Sequence, residues 1–246
     1  MHSLIDPHTH TLASVHAYST IREMAMAANN KGLAVLGITD HGPGMTKMPS
    51  EDFFRNFKVI DRNYFGIRLL MGVEANISGK NGELDVTAGA LDEMDIVVAS
   101  LHWQCFRSGS PEYNTKAVVE AIKNPRVTIL GHPDDGKYPL DYETVVQAAK
   151  ANHVLIEINN ASLTTDSFRL NGVENSRRIL SLCKKHRVSV IMSSDAHFEG
   201  EVGNQTLALN LIQETAFPGE LVVNDSIEKI EGYLIKNRRN GLKRAD

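Results

Sequence analysis

The sequence predicts an α/β fold, a distorted (β/α)7 barrel of the TIM type, and three observations predict it. The chain is 246 residues long, close to the roughly 250 typical of such barrels. Short runs rich in Val, Ile and Leu alternate with helical stretches, as expected for parallel strands buried on both faces and joined by right-handed crossovers. Seven of the ten histidines follow those apolar runs, at the strand ends where a parallel barrel builds its active site.

The strands read in order as Ser3–Ile5, Leu33–Thr39, Ile67–Glu74, Asp95–Leu101, Val127–Leu130, Val154–Ile158 and Val188–Ser193. Each is short, apolar and β-branched. The first helix opens at Thr20, where Thr20-x-x-Glu23 forms a capping box. Further helices are expected near Ser50–Tyr64, Thr115–Lys123, Asp141–Asn152 and Val173–His186, the last keeping Val173, Ile179, Leu180 and Cys183 at helical spacing. Two more, near Gln205–Thr215 and Ser226–Asn237, close the chain, and Leu221–Val223 is a candidate eighth strand. No internal repeat or linker interrupts residues 1–246, so one domain is expected. The basic tail of Arg238, Arg239, Lys243 and Arg244 reads as a solvated terminus.

Composition narrows the class. Hydrophobic residues make up 42% and charged residues 23%, ordinary values for a globular protein. A formal charge of −4 argues against nucleic acid as partner, since phosphate-backbone binding calls for a basic patch. No run reaches the roughly 20 apolar residues of a membrane span, and MHSLIDPHTH lacks the apolar stretch of a secretory signal. Cys105 and Cys183, the two cysteines, read as free thiols of a reducing compartment. A cytoplasmic protein is expected.

Nine side chains form the candidate site: His8, His10, His16, His41, Glu74, His102, His132, Asp195 and His197. In extended chain an H-x-H pair points both imidazoles to one side, and His8 and His10 form such a pair. His41, Glu74, His102 and His132 each end a strand, and Asp195 with His197 forms a second alternating pair. The sixth strand is the exception, ending in Glu157-Ile158-Asn159-Asn160. A lone histidine at a strand end is commonly structural. Donors from six strand ends and one loop together point to metal ions, which imidazole and carboxylate bind readily. His2, His153 and His186 lie off this pattern.

These residues resemble the polymerase and histidinol phosphatase (PHP) domain superfamily. The resemblance rests on DPHTH with the later His16, TDHG around His41, GHP around His132 and SDAH ending in His197, with Glu74 and His102 completing the set. The phrases GVEANI, ASLHW, GHPDDGKYPLD, EINNAS and SSDAH are most similar to the small stand-alone bacterial PHP phosphatases, which carry three metal ions, usually assigned as zinc. The resemblance implies that His8, His10, Glu74 and Asp195 hold one ion. Glu74 bridges to a second, completed by His102 and His132, and His16, His41 and His197 hold the third. Zinc is the expected metal, with manganese or iron also suited to these donors. Asp40 is expected to orient a histidine rather than to ligate.

The implied activity is hydrolysis of small phosphomonoesters. Three divalent ions against two carboxylates leave roughly +4 in the pocket, which favours a phosphate dianion. A hydroxide bridging two ions about 3.5–4 Å apart is the expected nucleophile. Glu74, Asp195 and His197 are the expected catalytic residues, with a general acid drawn from Asp195 or a histidine. Lys47, Arg107, Lys137 and Arg169 are the loop cations able to meet phosphate, each equally readable as a surface charge. Trp103 either walls the pocket or fills core. Similar small phosphatases suggest a homotrimer. Three rivals stay open: a histidinol-phosphate phosphatase, an amidohydrolase-type hydrolase, and a non-catalytic polymerase-associated or metal-binding module.

Overall fold

In a computed structural model, which describes residues 2–234, the chain forms a nearly closed barrel. Its strands are β1 (Ile5–Asp6), β2 (Val35–Ile38), β3 (Asn63–Tyr64), β4 (Ile67–Asn76), β5 (Ile96–Ser100), β6 (Ile129–Leu130), β7 (Leu155–Asn159) and β8 (Val190–Ser193). Seven run parallel in the order β1-β2-β4-β5-β6-β7-β8, and β3 pairs antiparallel with β4 alone. The helices are α1 (Ile21–Asn30), α2 (Glu51–Arg55), α3 (Ala88–Leu91), α4 (Pro111–Ile122), α5 (Tyr142–Ala151), α6 (Gly172–His186), α7 (Thr206–Glu214) and α8 (Ile227–Glu231).

The two-residue period of the strands stacks the interior in layers. Val35, Leu70, Ile96, Val98, Ile129, Leu155 and Ile191 pack together as an apolar floor, with Ile5, Val223, Ile230 and Leu234. Burying each such side chain contributes about 1.5–3 kcal/mol, so the floor is a firm base for what stands on it. Two residues further along the inward face come small side chains. Gly37 is one, and a Cβ there would lie 2.1 Å from the Pro7 carbonyl oxygen. Four residues past the floor the polar layer begins: Leu70 leads to Glu74, Leu155 by one step to Glu157, and Ile191 to Asp195. The alternate residues, among them Met71, Val73, Ile156 and Met192, face outward into the strand–helix core.

Several elements differ from the sequence reading. The expected helix over Ser50–Tyr64 stops early. Beyond α2 the chain continues as a short 3-10 turn, Asn56–Val59, and then enters β3. Phe65 (φ 50°) and Gly66 (φ 78°) both adopt left-handed backbone, the requirement of a two-residue hairpin turn. Helix α4 begins at Pro111, earlier than the apolar spacing suggests, because the Ser110 side chain caps it and proline suits the first turn. At α1 the expected capping box is present.

The eighth strand reduces to one bridge, Val190 to Val222, and the seam between β8 and β1 is sewn mainly by side chains. Asn224 accepts from the Met192 N–H and donates to the carbonyls of Ile5 and Met192. Gln205 donates to the same two carbonyls. Above them Thr9 bridges Ala196 in parallel fashion and closes the upper rim. The later part of the helix expected over Ser226–Asn237 and the basic tail lie outside the described residues. No helix among the described residues is long and apolar enough to cross a membrane.

Candidate metal centre

All nine predicted donors meet at the upper end of the barrel. Glu74 is at the middle, 1% exposed. Its Oε1 lies 2.9 Å from His132 Nε2 and 3.3 Å from His102 Nε2. Its Oε2 lies 2.6 Å from His41 Nδ1, 3.5 Å from His8 Nε2 and 3.7 Å from His10 Nε2. Asp195 Oδ1 is 3.2 Å from His10 Nε2 and 3.7 Å from His8 Nε2. His16 and His41 face each other through Nε2 atoms 3.2 Å apart. The His10 ring stacks on both His41 and His197, at 4.3 and 4.2 Å.

Three groups of these residues converge tightly enough to hold an ion: His8, His10 and Glu74; His10, His41 and His197; and His41, Glu74 and His102. The grouping shares His10, His41 and Glu74 between neighbouring points. His2, His153 and His186 stay outside: His2 is exposed, His153 stacks on Tyr233, and His186 meets Glu143.

An outer layer fixes the imidazoles. His8 Nδ1 lies 2.7 Å from Glu157 Oε1, a carboxylate that also accepts from Ser193 Oγ, from the His132 N–H and from Asn159 Nδ2. His102 Nδ1 lies 2.7 Å from Asn76 Oδ1. Asn76 is itself held by Asp85, which accepts from its backbone and side-chain amides. His10 Nδ1 lies 3.3 Å from Ser14 Oγ, whose proton goes to Asp40 Oδ1 at 2.7 Å. Asp40 thus acts on His10 through Ser14, while its other bonds fix Thr11.

These partners determine the tautomers. Glu157 and Ser14 are acceptors towards His8 and His10, so both Nδ1 atoms carry the proton. When both rings are neutral the two Nε2 atoms, 3.1 Å apart, face each other as lone pairs, an opposition that a proton on His8 relieves in the metal-free protein. A cation between them resolves that opposition. His41 Nδ1 and Glu74 Oε2 are likewise buried and lie 2.6 Å apart without a hydrogen bond of good geometry. Donors about 2.0–2.2 Å from one tetrahedral ion stand about 3.3–3.6 Å from each other, close to the spacings here. The residues fit divalent metal.

Without metal, the buried carboxylates and imidazoles balance one another's charge. Burial alone would lower His8, but Glu157, Glu74 and Asp195 raise it well above its usual range. Burial would raise Glu74, yet His102, His8 and His41 hold it well below the usual carboxylate range. Burial, with His197 and His41 beside it, lowers His16 to about 4. Two cluster residues, His132 (φ 27°) and Asp195 (φ 58°), hold left-handed backbone, a strain of about 1–3 kcal/mol each that tightly determined sites sustain.

The centre opens into a pocket of about 350 Å³ lined by His16, His41, His102, Asp195 and His197 with Met45, Trp103, Gln104, Ala161, Phe168 and Arg169. Of the four predicted cations, Arg169 alone is in the lining. It is buried, with Nη2 2.8 Å from Asp195 Oδ2 and Nη1 3.2 Å from both Asn159 Oδ1 and Ser162 Oγ. Lys137 lies at the rim, 5.0 Å from the Phe168 ring centre. Lys47 and Arg107 are exposed and outside the lining. Trp103 is at the mouth, 79% exposed, not in the core. Cys183 is buried and Cys105 half-buried. Sequence reasoning missed Glu157, Asn76 and Asp85. Glu157 and Asn76 share the strand parity of Leu155 and Leu70, which is the signal that locates them.

Fold and site together define a barrel protein with a histidine- and carboxylate-rich centre able to hold metal ions. The chain belongs to the PHP domain family, whose model matches residues 6–214. It is 44% identical over 238 residues to a probable phosphatase of Clostridium botulinum (strain Hall), covering 97% of this chain and 96% of that one. It is 42% identical over 244 residues to a probable phosphatase of Acetivibrio thermocellus, covering 99% and 100%. Among solved structures it resembles the histidinol phosphate phosphatase of Lactococcus lactis, complexed with zinc, L-histidinol and phosphate. That likeness has TM-score 0.60 and 17% identity over 88% of this chain and 95% of that one. It also resembles a chain in the structure of archaeal ribonuclease P with mature tRNA, at TM-score 0.52 and 19% identity over 87% and 88%. At such identities the structural likeness speaks for the fold alone.

Proposed function

We propose that the protein is a metal-dependent phosphatase that hydrolyses small phosphomonoesters at a three-ion centre. The observation that carries the reading is the pair of imidazole lone pairs of His8 and His10 set face to face beside Glu74 and Asp195. The probable phosphatases that share over 40% of its sequence support the reaction class.

In this reading His8, His10, Glu74 and Asp195 hold one ion, Glu74, His102 and His132 a second, and His16, His41 and His197 a third. Zinc suits the donors, and manganese or iron are alternatives. Bound there, the ions supply Lewis-acid charge to phosphoryl oxygens and lower the pKa of water.

The chain's own residues do the rest. Glu74 directs Oε1 to the His102–His132 side and Oε2 to the His8–His10 side, so one carboxylate ties two positions at fixed separation. Asp195 gives Oδ1 to the cluster while Arg169 grips Oδ2. Burial would raise Asp195, but His8 and Arg169 hold it well below the usual carboxylate range. Asp195 is therefore a ligand and not the leaving group's proton donor. His197 lines the pocket with Nδ1 2.9 Å from the Asp195 carbonyl, and is the nearer choice for a group that touches substrate. Buried Arg169 shapes the phosphate end of the pocket through Asp195.

Elemental analysis of protein purified without added metal, joined to a phosphatase screen over sugar, nucleotide, amino-alcohol and phosphotyrosine esters, tests this. About three metals per chain and phosphate release abolished by chelation are expected. Metal-free protein that stays inert after reconstitution with zinc, manganese or iron overturns it.

A further inference from the structure

The pocket has two unlike ends. Its inner end is all imidazole and carboxylate, and its mouth is apolar: Trp103 and Phe168 are 79% and 71% exposed, with Met45 and Ala161 also in the lining. Large aromatic rings are held this open only at a cost in unburied surface, and the backbone that carries each of these two is anchored. Trp103 follows His102 directly, in a turn closed by the N–H groups of Cys105 and Phe106 on the His102 carbonyl, at 2.9 and 2.8 Å. Phe168 directly precedes Arg169, whose guanidinium is tied to Asp195, Asn159 and Ser162. The next residue, Leu170, is anchored on both sides, its N–H to Asp135 Oδ1 and its carbonyl to the Gly136 N–H. Both rings are therefore carried on backbone anchored beside the cluster.

Charge at the mouth narrows what they meet. The single cation in the lining, Arg169, spends its guanidinium on Asp195, Asn159 and Ser162. Gln104, the polar side chain beside Trp103, is turned to the Thr46 N–H. Outside the lining Lys137 lies over the Phe168 ring, 5.0 Å from its centre; within the lining a second anionic group on a substrate finds no free cationic partner, whereas a flat neutral ring finds aromatic surface.

We infer that the site selects phosphomonoesters whose alcohol carries a flat, uncharged ring, which packs on Trp103 and Phe168 while the phosphate enters the histidine cluster. This deepens the phosphatase reading and rests on it.

The test uses metal-loaded enzyme and two esters with matched primary-alcohol leaving groups, 2-phenylethyl phosphate and n-butyl phosphate, so that ring recognition is separated from leaving-group reactivity. Adenosine monophosphate distinguishes a ring carried beyond a sugar from one close to the phosphate. We expect kcat/KM for the phenylethyl ester to exceed that of the butyl ester by about tenfold, the order that aromatic contacts provide. Trp103→Ala and Phe168→Ala bring that ratio towards unity, and Trp103→Phe restores it. Trp103 is the one tryptophan of the chain, so its fluorescence reports the ring directly. Titration with the non-hydrolysable 3-phenylpropyl phosphonate shifts or quenches it, and butyl phosphonate does not. An unchanged ester ratio in both alanine variants overturns the inference while leaving the phosphatase reading intact. No turnover of any ester overturns the phosphatase reading, and the fluorescence titration then still decides the ring contact: a flat response overturns it too.

Discussion

Glu74 Oε2 and His41 Nδ1 lie 2.6 Å apart inside the barrel, and no hydrogen bond joins them. Because the other oxygen of Glu74 serves His102 and His132, this carboxylate is the joint of the whole centre. Glu74→Gln keeps the shape and removes the charge. The expected result is loss of more than one metal equivalent per chain and a fall in activity of at least about a hundredfold, with the circular dichroism spectrum unchanged. Full metal content in the variant would count against a shared ligand.

Glu157 grips His8 from behind and also holds the His132 backbone. Partners of this kind commonly contribute about 10- to 100-fold in metal affinity or activity. Glu157→Gln is predicted to lose affinity in that range, measured by competition with a chromophoric chelator. An unaltered affinity would make Glu157 a purely structural acid.

Asn76 does for His102 what Glu157 does for His8. Asn76→Ala frees the His102 ring to rotate and takes from Asp85 the side-chain amide it accepts from, leaving the backbone N–H groups of residue 76 and Gly44. Metal occupancy should drop by about one equivalent, with the loss confined to the His102–His132 side. Asp85→Asn, one bond further out, should show the same change more weakly. Anomalous scattering at the metal edge reads both.

Removing Arg169 strips a buried counter-charge from Asp195. Breaking such a pair costs about 3–5 kcal/mol, so metal-free Arg169→Met should unfold well below wild type in a denaturant series. Bound metal supplies positive charge to the same carboxylate, and the deficit should shrink in the loaded protein. Equal deficits with and without metal would separate Arg169 from the centre.

The pH dependence of stability should change sign on metal loading above about pH 6.5. In metal-free protein His8 is raised by its carboxylate neighbours. Its contribution is complete below the unfolded value near 6.5 and disappears as pH rises through the higher folded value. Above about pH 6.5 metal-free protein therefore loses stability towards alkaline pH, while below it His10 and His16, whose folded values are lowered, cost stability as pH falls. Loaded protein does the opposite, since protons compete with metal for the imidazoles and affinity rises with pH up to neutrality. Thermal melts across pH 5–9 with and without a chelator check both slopes.

Much of this was legible in the chain. The Val- and Ile-rich runs located all seven parallel strands, because a strand buried on both faces has little else to be made of. His8, His10, His41 and His132 could be placed because a histidine following an apolar run is conspicuous. Glu157 and Asn76 were harder, since a carboxylate or an amide at a strand end is ordinary until its parity is counted from the apolar floor. Arg169 carried no sign of burial, as its partner Asp195 lies 26 residues away on another loop. The β3 hairpin escaped because Ser50–Tyr64 has helical composition at its start, and only the left-handed turn at Phe65 and Gly66 reverses it.

The sewn seam has a consequence for the order in which the molecule is made. Each of the other parallel strand pairs is formed between segments that leave the ribosome in succession. The first and last strands are joined by Asn224 and Gln205, and the upper rim by Thr9 and Ala196. His8 and His10 are thus among the earliest residues synthesised and must wait for Asp195, and then for Asn224, before their surroundings exist. The surroundings of the first two histidines are completed only by residues from the far end of the described chain.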